Sequence, residues 1–176
     1  VFFAVIGVAA AERRDIISVD VGTAFFNAEM EGVQVLMSID PVLSQLLLEL
    51  DKTYEPYLDD KGMLVVALDK ALYGCVQSAH LWNKDINATL SNAGYVPNGY
   101  DPCVYNKTSP GGDQCTLALH VDDILASSDQ PSMLSDFIDL INEIYKKCTV
   151  QRGPVLGHLG MTLDFSKDGE VCHDGG

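Results

Sequence analysis

Positive charge is what this 176-residue chain has least of. Eleven Lys and Arg stand against 25 Asp and Glu, giving a net charge of −14 and a pI near 4.3. That balance argues against broad, sequence-independent attraction to nucleic acid, which depends on Lys and Arg neutralising phosphates. Cysteine is sparse and scattered: positions 75, 103, 115, 148 and 172, with no Cys-x-x-Cys pair. An odd, unpaired set supports neither a zinc site nor a disulfide framework and suits a reducing compartment. The opening apolar run of eleven residues is too short to cross a bilayer and has no basic leader. The four histidines (80, 120, 158, 173) make no His-x-x-x-His pattern, no Gly-x-Ser-x-Gly surrounds a nucleophile, and no Gly-rich phosphate loop ending in Gly-Lys-Ser/Thr occurs. Repeats, low-complexity tracts and obvious linkers are missing too. Without an initiator Met, the chain reads as an excerpt of something longer, with a buried helix at its start.

What is there suits one domain with a sizeable core, 47% hydrophobic and 20% charged. "IISVDV" (16–21) reads as a short buried strand, and "GTAFFNAEMEG" as a helical or irregular segment. "PVLSQLLLELDK" reads as a helix opened by Pro41, and "YLDDKGMLVVAL" as a turn followed by a strand. From Ser78, a helical spacing of Leu81, Trp82, Ile86, Leu90 and Ala93 runs to Gly94, with Ser78 as its cap. "CVYNKTSPGGDQCTLALHVDDILASS" reads as three strands, the last two joined by a tight reversal at Asp122-Asp123. "PSMLSDFIDLINEIYKK" is a helix with Leu134, Phe137, Ile138, Ile141 and Tyr145 on one face and lysines in its last turn. The end, "LGMTLDFSKDGEVCH", reads as a hairpin with Asp168-Gly169 at the turn. Helices mixed with antiparallel hairpins predict an α+β class.

The candidate chemistry lies in carboxylates. On turn statistics alone, Asp122-Asp123 is a solvated turn. Two features weigh against that reading: the flanks are apolar enough for central strands, and the pair lacks the Gly or Asn of a primed two-residue turn. A third acid, Asp20, ends another apolar strand. Oxygen ligands on neighbouring strand ends suit Mg²⁺, and two such ions about 3.5–4 Å apart can serve nucleotidyl transfer. "YGCVQS" (73–78) is a polar strip before a helix start, Phe25 and Phe26 read as core, and Trp82 as a buried helix residue.

Taken in series, "SVDVGTAFFNAEMEG", "LDKALYGCVQSAHLWNKDI", "GYDPCVYN", "LALHVDDILASS" and "LGMTLDFSKDG" resemble the reverse transcriptase of copia-type LTR retrotransposons, from about Asp15 to the end. The resemblance implies a polymerase palm, an antiparallel sheet backed by helices in a right-hand fold, as a single domain over 1–176 with part of the fingers. It implies RNA-directed DNA synthesis with two Mg²⁺ ions, for which Mn²⁺ substitutes. Asp20, Asp122 and Asp123 would be the catalytic and metal-holding acids, helped by the Val21 carbonyl. Phe25, Tyr73, Gly74 and Gln77 would meet the incoming nucleotide, with Phe25 rejecting ribose by bulk. His120 and the Leu159-Gly160-Met161 stretch would face primer and template. His120 departs from the commoner Tyr before Val-Asp-Asp.

The partners so implied are an RNA or DNA template with primer, deoxynucleotides, and the integrase and RNase H parts of a polyprotein, with no membrane. The implied location is a cytoplasmic virus-like particle or the nucleus. Basic finger strands before the chain, and thumb, connection and RNase H after it, are further expectations of the resemblance. Two alternatives stay open: an inactive retroelement remnant that binds nucleic acid or protein, and an unrelated acidic metal-binding or structural domain.

Overall fold

The computed structural model describes residues 2–32, 34–167 and 170–175, and of Lys167 and 170–175 the backbone alone. The chain divides into two compact units, Val1–Ala24 with Asn83–Gly176, and Phe25–Trp82. Its elements run α1 (Phe2–Ala11), β1 (Asp15–Val21), α2 (Ala24–Asn27), β2 (Leu36–Ile39), α3 (Pro41–Leu50), a 3₁₀ turn (Lys52–Tyr57), β3 (Leu64–Ala67) and α4 (Ser78–Asn92). There follow β4 (Val96–Pro97), β5 (Val104–Thr108), β6 (Gln114–His120), β7 (Asp123–Ser128), α5 (Pro131–Tyr145), β8 (Cys148–Arg152), β9 (Val155–His158), β10 (Met161–Lys167) and β11 (Glu170–Gly175). This is a mixed α and β chain whose sheets are antiparallel.

The first unit is built on a six-stranded sheet in the order β4-β5-β6-β7-β1-β8. β1 is internal, so both its edges are paired, and Ile16, Ile17, Val19 and Val21 are buried. One face of the sheet lies under α1, where Val5, Ile6 and Ala9 join Ile16, Val104, Ala118, Leu125, Leu156 and Leu163 in one cluster. The other face takes α5, whose Met133, Leu134, Phe137, Ile141 and Tyr145 are buried. Each large side chain so covered contributes about 1.5–3 kcal/mol. The lysines expected inside the last turn of α5 follow it instead. Lys146 is in the left-handed region (φ 61) and stops the helix, its amide still donating to the Asn142 carbonyl.

A three-stranded sheet, β11-β10-β9, belongs to the same unit. The expected hairpin of β10 and β11 is present as an antiparallel pair, while its turn residues, Asp168 and Gly169, lie outside the described residues. A second hairpin joins β9 to β10 through Leu159-Gly160, both at positive φ (51 and 73), as a two-residue primed turn requires.

The second unit pairs β2 with β3. Between them α3 starts where Asp40 accepts from the Val42 and Leu43 amides, with Pro41 in the first turn. Its buried residue is Ser44, whose hydroxyl donates to the Ile39 carbonyl and accepts from the Leu64 amide. At the start of α4, the Ser78 hydroxyl bonds both backbone groups of Leu72. Among the described residues no helix is long and apolar enough to cross a membrane.

Candidate functional site

Alternation along β1 explains how acids come to stand at the end of a core strand. Ile16, Ser18 and Asp20 share one face. Ile16 is under α1, Ser18 is buried against His158, and Asp20 is exposed. The strand thus leads from apolar core to open solvent in three steps on that face. β7 runs beside it in antiparallel register, and Asp20 is directly opposite Asp123. Asp122 is in the tight turn between β6 and β7, and its carbonyl accepts from the Val21 amide at 3.0 Å. The three acids that sequence separates by a hundred residues therefore meet at one end of the sheet.

The turn itself is strained. His120 pairs with Asp123 across it, leaving Val121 and Asp122 as the two central residues. Val121 has φ 57, a conformation that glycine adopts freely and a β-branched residue rarely. Positive φ at the first central position is the mark of a II′ turn, and strain of this kind costs about 1–3 kcal/mol.

Electrostatics agree with the geometry. The Asp20 carboxyl is held above the ordinary carboxylate range, by partial burial first and then by the charges of Asp123 and Asp122. Asp123 is raised in the same way, by burial and then by Asp122, while His120 draws it back down. An all-oxygen set of this charge suits a hard divalent cation, which would relieve the repulsion. Among the described residues, no three His, Cys, Asp or Glu side chains converge tightly enough to form a finished metal cage.

Asp20 and Asp123 open onto a cleft of about 470 Å³ whose wall also includes Thr149, Gln151, His158 and the Leu159-Gly160-Met161 turn. A neighbouring cleft of about 230 Å³ is shared by His120, Leu159 and Met161 with Phe2, Phe3 and Cys103. Of the residues expected to face primer, the Leu159-Gly160-Met161 turn thus borders the same cleft as Asp20 and Asp123, and His120 lines the neighbouring one. Thr149 and Gln151 are opposite Asp20 and Ser18 on β8, on the same face. Lys147, just before β8, stands against Gly22, whose amide donates to the Lys147 carbonyl at 2.8 Å.

Sequence reasoning missed His158. The residue is 3% exposed, and its ring bonds Ser18 Oγ through Nδ1 at 2.8 Å and stacks on Phe2, with centroids 5.2 Å apart. Burial, with His120 nearby, pushes its pKa down to about 4. The one signal available was its place before Leu-Gly-Met.

The residues expected to meet a nucleotide lie in the second unit. Phe25, buried, has its ring centroid 4.3 Å from that of Tyr73, which is half exposed. Gly74 has φ 95, where a side chain would be strained, and Gln77 Nε2 approaches Met30 Sδ at 3.7 Å. Trp82 is buried, as expected of a helix residue.

The family model described as reverse transcriptase (RNA-dependent DNA polymerase) matches residues 3–169, so the chain belongs to that family. It is a reverse transcriptase domain of the copia type, with relatives among transposon proteins. It is 26% identical over 159 residues to the retrovirus-related Pol polyprotein from transposon TNT 1-94 of Nicotiana tabacum, covering 90% of this chain and 11% of that protein. It is 26% identical over 100 residues to the putative transposon Ty5-1 protein of Saccharomyces cerevisiae, covering 57% of this chain and 32% of that one. The chain thus spans well under half the length of either relative.

Proposed function

We propose that this chain is the palm-centred part of an RNA-directed DNA polymerase that extends a primer within a retrotransposon polyprotein. The observation that carries the reading is the register of β1 and β7, which sets Asp20 against Asp123 with Asp122 in the adjoining turn. Asp20, Asp122 and Asp123, with the Val21 carbonyl, are the groups that would hold divalent cations, and their side chains would swing inward to share them. When bound, Mg²⁺ or Mn²⁺ supplies the positive charge that acidifies a primer hydroxyl and offsets charge on the leaving phosphates.

The chain's other residues position the reactants. The Leu159-Gly160-Met161 turn and His120 border the clefts beside the acids and would seat the primer end and its template. Phe25, whose ring meets that of Tyr73, would exclude a ribose hydroxyl by its bulk. Gly74 and Gln77 would meet a nucleotide and its template.

Manganese titration followed by electron paramagnetic resonance tests the metal-holding role apart from turnover. Asp20→Asn and Asp123→Asn are each expected to weaken Mn²⁺ binding about tenfold or more, ~1.4 kcal/mol, and to abolish primer extension in Mg²⁺ on an RNA or DNA template. Binding and extension unchanged by both substitutions would remove the assignment. A second reading, an inactive retroelement remnant that binds another protein, draws its support from the exposed apolar face of α3.

A further inference from the structure

A surface helix normally turns its apolar stripe toward its own core. α3 does the reverse. Val42, Leu46 and Leu50 recur every four residues with Leu43 beside them, and they are 71, 51, 85 and 53% exposed. At about 100° per residue, these four side chains occupy one stripe roughly 100° wide. The helix meets its unit by the opposite side, through buried Ser44 and half-buried Leu48. The Ser44 hydroxyl holds it there by donating to the Ile39 carbonyl and accepting from the Leu64 amide, so its orientation is fixed by polar contacts. Tyr57 and Leu36 of the same unit are also exposed, 62 and 61%. An exposed apolar stripe such as that of α3 marks an interaction surface.

The charges around the stripe say what it fits. Asp40 and Asp51 bound the helix at its two ends, Glu49 is on its exposed flank, and Glu55, Asp59 and Asp60 follow shortly, against Lys52 and Lys61. We propose that the outward face of α3 docks a basic amphipathic helix of another protein, with leucine or aromatic residues at i, i+3, i+4 and i+7 and Lys or Arg on both flanks. The ten residues of α3 run about 15 Å, enough for three turns of a partner. A second copy would set acid against acid in a chain of net charge −14, and an anionic lipid surface would meet the same repulsion. This docking role is independent of the polymerase reading.

The test is fluorescence anisotropy with the 176-residue chain and a labelled peptide of about 14 residues in which leucines follow that spacing and lysines flank them. A scrambled peptide of identical composition controls for charge alone. The patterned peptide is expected to bind saturably, at least about tenfold more tightly than the scramble, and to weaken at about 0.5 M salt. Leu46→Ser/Leu50→Ser and Glu49→Lys/Glu55→Lys should each weaken it about tenfold, with urea midpoints confirming that these exposed substitutions leave the fold intact. Absence of binding, equal binding of the scramble, or indifference to the leucine pair would overturn the proposal. So would sedimentation showing self-association that Leu46→Ser/Leu50→Ser abolishes, or capture by phosphatidylserine vesicles that needs the same leucines.

Discussion

The amide of Gly22 donates to the Lys147 carbonyl at 2.8 Å, and a Cβ placed on Gly22 would stand 2.9 Å from that oxygen. No real side chain tolerates that approach to backbone. Gly22 comes two residues after Asp20, so the contact joins the end of the acid strand to the start of β8. Gly22→Ala is therefore expected to destabilise the chain by about 1–3 kcal/mol through overpacking. Gly7, inside α1, has nothing within 4 Å of its would-be Cβ. There the same substitution should stabilise by about 0.5–1 kcal/mol. Urea midpoints that move in the same direction for both would refute the contact argument.

Val121→Gly should relieve the strained II′ turn. The gain from removing a β-branched residue at φ 57 exceeds the backbone entropy that glycine costs, leaving about 1 kcal/mol of net stabilisation. Equilibrium unfolding measures it directly, and a lowered midpoint would show that the valine side chain contributes more than its backbone costs.

His158 predicts an acid limb in stability. Its folded pKa of about 4 lies below the 6.5 of an unperturbed imidazole. The unfolded chain therefore binds the extra proton first, and stability falls as pH drops from about 6.5 towards 4. The shift sets an upper bound of about 3 kcal/mol. His158→Phe keeps a ring beside Phe2 and removes the titration, so its loss of stability over that interval should be smaller than that of the unchanged chain. Parallel pH profiles for the two proteins would exclude His158 as the source.

Ser44→Ala should cost about 1–3 kcal/mol, because the Leu64 amide loses a buried acceptor and α3 loses its attachment to Ile39. Ser44→Thr retains the hydroxyl and should recover part of that loss. Thermal or urea unfolding of the two variants side by side distinguishes the bond from the packing.

The parts of this molecule that sequence revealed are those set locally. β-Branched and apolar runs located β1, β6 and β7, with the acid pair at the tight reversal between the last two. The helical spacing of α4 and α5 was equally plain. β8 was not, since "CTVQR" has no strong strand pattern and its pairing with β1 is a tertiary matter, which hid Thr149 and Gln151. His158 was hidden because its partner, Ser18, is 140 residues away. The leucines of α3 read correctly as a helix, but nothing local told that Ser44 would turn inward and the leucines outward. Phe25 and Tyr73 were each singled out by family resemblance and not by composition, and nothing in the sequence told that their rings would meet.

β1 is at residues 15–21, and both strands it is hydrogen-bonded to come after residue 122. Contacts of such long sequence separation form slowly, since the chain between them must first be gathered in. During synthesis Asp20 leaves the ribosome with neither neighbour in existence, and its strand edges stay open until more than a hundred further residues have been added. A message cut short between those points yields a chain with two unsatisfied edges and a solitary acid, a product prone to aggregate and without the site.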